Sequence, residues 1–159
     1  MPTLLCPPST PAQLLRDALL GALSGLARAT TSEPKTDDTD DVLCAGLRLA
    51  ARPDADADAL RRMLAIVRTE KNRVAPNCAT CAMPCGNTAD YDLARLWAAP
   101  EPVRSCKLRL LQVLFALAQR RTQTPETLFA LYQSLFALAE DWDEDQLLPI
   151  VENAARCAE

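Results

Sequence analysis

The chain of 159 residues contains no histidine. That absence excludes Ser-His-Asp and Cys-His nucleophilic pairs, HExxH zinc sites and Cys2His2 fingers built from this chain alone. Aromatic residues are scarce, at 4%, so the core must come from leucine and alanine, which suits helices carrying small and medium side chains. No stretch alternates apolar and polar residues with a period of two, so strands are not expected. No motif recurs at a fixed period, which argues against a solenoid. Long uncharged apolar runs are missing too. The strongest apolar segment, Leu14 to Ala29, is interrupted by Arg16, Asp17 and Arg28, whereas a membrane span needs about 20 mostly uncharged residues. It reads as an amphipathic helix in water, and no membrane association is expected. The first eight residues carry no basic region and no sustained apolar stretch, so no signal peptide is expected and a cytoplasmic location is. Acidic residues outnumber basic ones, 21 to 17, for a formal charge of −4. That balance argues against a generic nucleic-acid binder, which neutralises phosphate with a basic surface.

The sequence is rich in helix starts. Thr10-Pro11 is an N-cap followed by proline at the first helical position, and it opens a helix to about Thr30. Its expected apolar stripe is Leu14, Leu15, Ala18, Leu19, Ala22, Leu23 and Leu26. Residues Thr31 to Asp41, with Ser, Pro, Lys and a run of Asp, read as a solvated loop. A second helix is predicted from about Asp41 to Ala51 and is broken by Arg52-Pro53-Asp54. The third follows from Asp54 to about Lys71, with Leu60, Met63, Leu64 and Val67 inward. After an irregular stretch, Thr88 is predicted to cap a helix over Ala89 to Ala98. A longer helix should span about Glu101 to Arg121. Thr124-Pro125 repeats the cap-and-proline device and opens a helix to Glu140. Asp143-Glu144-Asp145-Gln146 is a capping-box start for a last helix to Cys157. The expected fold is therefore all-α, a compact helical bundle of six or seven helices with one irregular cysteine-rich loop. A single domain fits this length. Its parts are a flexible arm at 1–9, helices over 10–72, the cysteine loop at 73–88 and helices over 89–159.

Chemistry concentrates in that loop. Of seven cysteines, Cys78, Cys81 and Cys85 fall within eight residues of irregular backbone. A Cys-x-x-Cys step lets two sulfurs converge on one ion, and soft thiolates with no histidine select zinc or an iron–sulfur cluster over hard cations. In a cytoplasmic protein, metal or redox chemistry is expected before a disulfide framework. Pro76 and Pro84 stiffen the flanks, and the dipole of the predicted helix after Thr88 would favour thiolates. A closed site takes four protein ligands. Cys106 is the first candidate for the fourth, because its helix follows the loop after a short Pro-rich turn, and Cys6 on the N-terminal arm is the second. Cys44 and Cys157 sit among Leu and Ala on predicted helices, where cysteine acts as a small hydrophobe. The alternative for the loop itself is plain packing, or a Cys78–Cys81 or Cys81–Cys85 disulfide formed in air.

The order of Cys78-x-x-Cys81, then Cys85-Gly86-x-Thr88, then a helix starting with acidic Asp90 and Asp92, resembles the N-terminal region of hybrid-cluster proteins, also known as hydroxylamine reductases. The likeness covers residues 74 to 157, with Leu128 to Asp145 similar in pattern to the helical stretch downstream. It implies a helical region whose cysteines hold a cubane iron–sulfur cluster that passes electrons on. Cys78, Cys81 and Cys85 carry over, while the family's fourth cysteine has no match in the loop. The family's motif stands at the very N-terminus, whereas residues 1–77 precede it here. Ligands for the catalytic hybrid cluster are missing, so hydroxylamine reduction by this polypeptide alone is not expected.

Two functions follow. One is an iron–sulfur, or alternatively zinc, binding protein in electron transfer or redox sensing, with a redox partner protein. The other is a metal-free helical interaction module with incidental cysteines, whose surplus apolar stripes suit a homodimer. No catalytic residue is assigned: Asp90 and Asp92 are two apart on the predicted helix and point to different sides. Arg95, Arg104 and Lys107 read as ordinary surface cations. The acidic run Glu140 to Asp145 lacks the glycine and closing glutamate of a calcium loop and reads as a solvated helix junction plugged by Trp142.

Overall fold

The computed structural model describes residues 7–30, 36–74 and 90–159. Among them are seven helices and no strand: α1 (Pro11–Ala29), α2 (Asp37–Ala50), α3 (Ala57–Val74), α4 (Ala94–Ala98), α5 (Val103–Ala118), α6 (Pro125–Ala139) and α7 (Glu144–Ala158). This is the all-α bundle that the helical periodicity predicts. α1 packs against α2, α3 and α6, while α5, α6 and α7 pack on one another and α2 touches both α3 and α5.

Most helix starts obey local chemistry. The Thr10 hydroxyl accepts the Gln13 N–H at 3.1 Å, with Pro11 behind it. At α6, Thr124 and Thr127 exchange bonds between side chain and backbone at 3.2 and 2.8 Å. At α7, Asp143 and Gln146 do the same at 3.0 Å each. The second helix differs from expectation. It begins at Asp37 rather than Asp41, with Thr36 as its cap, so Asp37, Asp38 and Asp40 lie in its first turn and not in a loop. Carboxylates there face the positive end of the helix dipole, which a solvated loop would not offer them. The third helix runs on to Val74, three residues further than its polar sequence suggests, because Glu70, Lys71 and Val74 are buried against the rest of the fold.

The larger correction concerns α1. Every residue from Leu19 to Ala27 is buried, so it is the central helix of the bundle and not an amphipathic one, and Leu14, expected on the apolar stripe, is 58% exposed. Small residues make this possible. Gly21, Ala22, Ser24, Gly25 and Ala27 fill the faces between Leu19, Leu20, Leu23 and Leu26, leaving room for neighbours all round. Gly21 is the tightest point. A Cβ built there would stand 2.1 Å from the carbonyl oxygen of Tyr91, and the Tyr91 N–H donates to the Gly21 carbonyl at 3.0 Å.

Two charged residues of α1 are buried as well. Arg16 donates from Nε to the Ala50 carbonyl at 2.9 Å, from one terminal nitrogen to the Arg52 carbonyl at 2.8 Å, and from the other to Gln13 Oε1 at 2.7 Å. It thereby closes the C-terminal end of α2. Asp17 accepts from the Trp97 indole at 3.0 Å. Burial pushes its pKa upward, against the opposing pull of that hydrogen bond and of Arg16. A smaller apolar cluster of Cys106, Leu110, Ala137, Leu147, Ile150 and Val151 joins α5, α6 and α7. Trp142 packs on it and meets Phe136 with ring centroids 5.9 Å apart, so the helix junction is plugged as expected.

Two outcomes follow from these contacts. Gly→Ala inside a helix ordinarily stabilises by roughly 0.5–1 kcal/mol. Gly21→Ala should instead destabilise by about 1–3 kcal/mol in urea unfolding, because the new methyl meets backbone. Gly46→Ala, whose Cβ would meet only the flexible Leu23 Cδ2 at 2.8 Å, should be milder. For Asp17, the raised folded pKa means that its stabilising contribution is full below the ordinary value of 3.8 and is lost as pH rises through the folded value. Asp17→Asn keeps an acceptor for Trp97, so it should melt higher than wild type at pH 7, with the gap closing as the pH approaches 3.

Candidate functional site

The cysteine-bearing segment, residues 75–89, lies outside the described residues, as does Cys6, so the site is legible from its base. That base is the last two turns of α3. Asp90, the first described residue after the segment, is held by Lys71 Nζ on one carboxylate oxygen and by Arg68 Nε on the other at 3.2 Å. Lys71 is buried and Asp90 half-buried. Val74, the last residue before the segment, is buried too. Both ends of the segment therefore rest on the same helix end. Next to them, Glu70 accepts from the Thr39 hydroxyl at 2.6 Å and from Arg73 Nε at 2.9 Å. The Arg73 guanidinium holds the Glu70 carboxyl below its usual range, with burial opposing it.

The helix expected over Ala89 to Ala98 is shorter. Thr88 and Ala89 lie outside the described residues, and the described part of that span is helical only over α4. Asp90 is drawn to α3, the Tyr91 N–H is committed to Gly21, and Tyr91 and Leu93 are buried in the core. Asp92 accepts the Ala94 N–H at 3.0 Å, so the helical turn begins only after it. Among the described residues, the helix whose dipole was expected to favour thiolates is therefore reduced to five residues that begin four after Asp90. Asp90 and Asp92 are thus an ion-paired anchor and a cap.

Cys106 is 9% exposed and sits in the α5–α6–α7 cluster, its Sγ 4.0 Å from Glu144 Oε2. Burial pushes its thiol pKa up, and the Glu144 charge adds to that. Cys44 is buried in the main core and Cys157 packs at its edge, the role of small hydrophobes expected for both. Among the described residues, no group of three or more Cys, Asp or Glu is placed to hold a metal ion, which includes the acidic run before α7. Cys6 lies two residues before Pro8, and Pro8 shares a cleft with Asp17, Tyr91, Asp92, Leu93 and Trp97. The N-terminal arm and the end of the cysteine segment therefore leave the fold at neighbouring points.

Lys107 corrects another reading. It is 4% exposed, not a surface cation, and donates to the Glu140 carbonyl at 2.9 Å. Its spacing was the available signal: Lys107 stands three, four and seven residues before Leu110, Leu111 and Leu114, squarely on the apolar stripe of α5.

No family profile matches the chain, and no curated protein or solved structure matches it significantly. The likeness to hybrid-cluster proteins stays a resemblance of sequence pattern, which these comparisons neither support nor refute.

The clamp under the segment can be tested directly. Lys71→Met removes the buried half of the grip on Asp90 and should destabilise by about 1–3 kcal/mol. Arg68→Met, at an exposed position where ion pairs contribute little, should change stability by less than about 1 kcal/mol. Equal effects in urea titrations would refute the clamp.

Proposed function

We propose that the chain is a small cytoplasmic metal- or cluster-binding protein. In this reading Cys78, Cys81 and Cys85 hold an iron–sulfur cluster, or alternatively zinc, for electron transfer to a partner protein or for redox sensing. The observation that supports it most is the spacing of Cys78, Cys81 and Cys85 in a segment whose two flanking residues, Val74 and Asp90, both rest on α3. By contour length, Cys78 lies within about 14 Å of Val74 and Cys85 within about 18 Å of Asp90. Arg68, Lys71 and Arg73 stand at this base, balanced by Glu70, Asp90 and Asp38. For the fourth ligand we favour Cys6, because Pro8 shares a cleft with Tyr91 and Asp92 just after the segment, over the Cys106 expected first, whose thiol faces Glu144 in an apolar cluster. No catalysis is assigned to the chain alone.

The second reading, a metal-free interaction module or homodimer, draws on three large apolar side chains left in solvent, Leu14, Ile66 and Phe129. Anaerobic purification followed by iron, sulfide, zinc and near-visible absorption measurements separates the two. The cluster reading expects stoichiometric iron and sulfide, lost in Cys85→Ala and Cys6→Ala and kept in Cys106→Ala. Stoichiometric zinc alone would make the loop a structural staple. A folded protein that stays metal-free after reconstitution would overturn the reading and leave the interaction module.

A further inference from the structure

A separate cleft of about 290 Å³ lies between the α4–α5 corner and the α6–α7 junction, with Tyr91, Pro100, Val103 and Trp142 in its walls. Two cations line it. Arg95 and Lys107 each place their charged group 5.7 Å from the centre of the Tyr91 ring. Lys107 is the unusual one: a buried ammonium has three donors, and its one hydrogen bond among the described residues goes to the Glu140 carbonyl. No carboxylate there is ion-paired with it; the nearest competitor, Asp141, is paired with Arg95 at the cleft mouth. A desolvated cation flanked by aromatic and aliphatic walls gains most from an anion that brings an apolar body with it.

We propose that this cleft is a binding site for a small organic carboxylate, its anionic group between Lys107 and Arg95 and its apolar body against Val103, Pro100 and Trp142. The charge balance selects a monoanion over a phosphate. Asp141 is paired with Arg95, and Glu140, whose carboxylate also acts on Lys107, is paired with Arg28 at 3.6 Å, so Lys107 is the cation of the cleft that no ion pair among the described residues takes up. The volume suits a molecule the size of benzoate. Asp141 is then an internal rival, a tethered carboxylate on the guanidinium that the ligand would share. That arrangement gives the site a signature which mere structural damage does not produce, since removal of a surface carboxylate should tighten binding.

The test is an NMR titration of the full chain with benzoate, with benzamide as the uncharged isostere, at constant ionic strength. Benzoate should shift the amides around Tyr91, Val103 and Trp142 with millimolar affinity, at least about tenfold tighter than benzamide, the margin of one good charge-assisted contact. Asp141→Asn should tighten benzoate about threefold or more. Ala99→Phe, which fills the cleft without touching the Lys107 bond, should abolish the shifts while leaving the rest of the spectrum intact. Because Lys107→Met also strips the end of α6, the proposal is judged on these two variants. It is overturned if benzoate and benzamide bind alike, if Asp141→Asn leaves the affinity unchanged, if the shifts survive Ala99→Phe, or if no saturable binding occurs.

Discussion

Tyr91 lies directly on α1 because Gly21 has no side chain, and much of the molecule depends on that contact. A helix buried on every side needs a neighbour on every side, and α2, α3 and α6 cover only part of α1. The chain returning from the cysteine segment covers the remainder by placing its backbone against Gly21 and burying Tyr91 and Leu93. Trp97 then reaches Asp17, Asp90 reaches α3, and the Tyr91 ring forms a wall for the two cations at the α4–α5 corner. One missing methyl thus sets the path of the chain past α1, the base of the cysteine segment and the shape of the neighbouring cleft.

The helix ends show a second dependence. Helices commonly close on a glycine in the left-handed region, yet Gly21, Gly25 and Gly46 lie inside α1 and α2, and no described residue has a positive φ. The final carbonyls are met from elsewhere instead. Arg16 of α1 takes those at the end of α2. Arg48 of α2 takes Ala118 at 2.6 Å and Arg120 at 3.2 Å, at the end of α5. Lys107 of α5 takes Glu140 at the end of α6. Each is a cation at the negative end of another helix's dipole, and each ties two helices together where a local cap would tie none. Arg16 and Lys107 are buried and Arg48 exposed, and Arg16 meets its burial with two carbonyls and the Gln13 side chain.

This also explains which features the sequence disclosed. N-caps are local, so Thr10, Thr124 and Asp143 announced α1, α6 and α7 within a residue or two of where they start. C-terminal closures here are not local, and the same cations looked like interruptions. Arg16 interrupts the apolar run of the predicted Leu14–Ala29 helix, and Lys107 has the look of surface charge. Both stand at helical spacing from leucines that are fully buried, and that register is the signal that places them inside. The all-round burial of α1 was legible only in its small residues. The brevity of α4 was not legible at all, since it follows from long-range commitments of Asp90 and Tyr91. The cysteine spacing was the clearest motif in the chain, and its residues lie outside those described, so the site is known by its footing.

That footing matters for the choice of ligands. A thiolate is a charged group and needs compensation from solvent, cations or metal. At Cys106 the fold supplies the reverse: an apolar cluster that raises the thiol pKa and a carboxylate beside the sulfur that raises it further. The last turns of α3 supply Arg68, Lys71 and Arg73, with Lys71 itself buried and fixed. In the proposed ligand set, this electrostatic cost weighs against the proximity in sequence that recommends Cys106. Pro8, two residues after Cys6, shares a cleft with Tyr91 and Asp92, the residues that follow the cysteine segment. On the proposed reading, the ligand set avoids the carboxylate beside Cys106 and so departs from chain order.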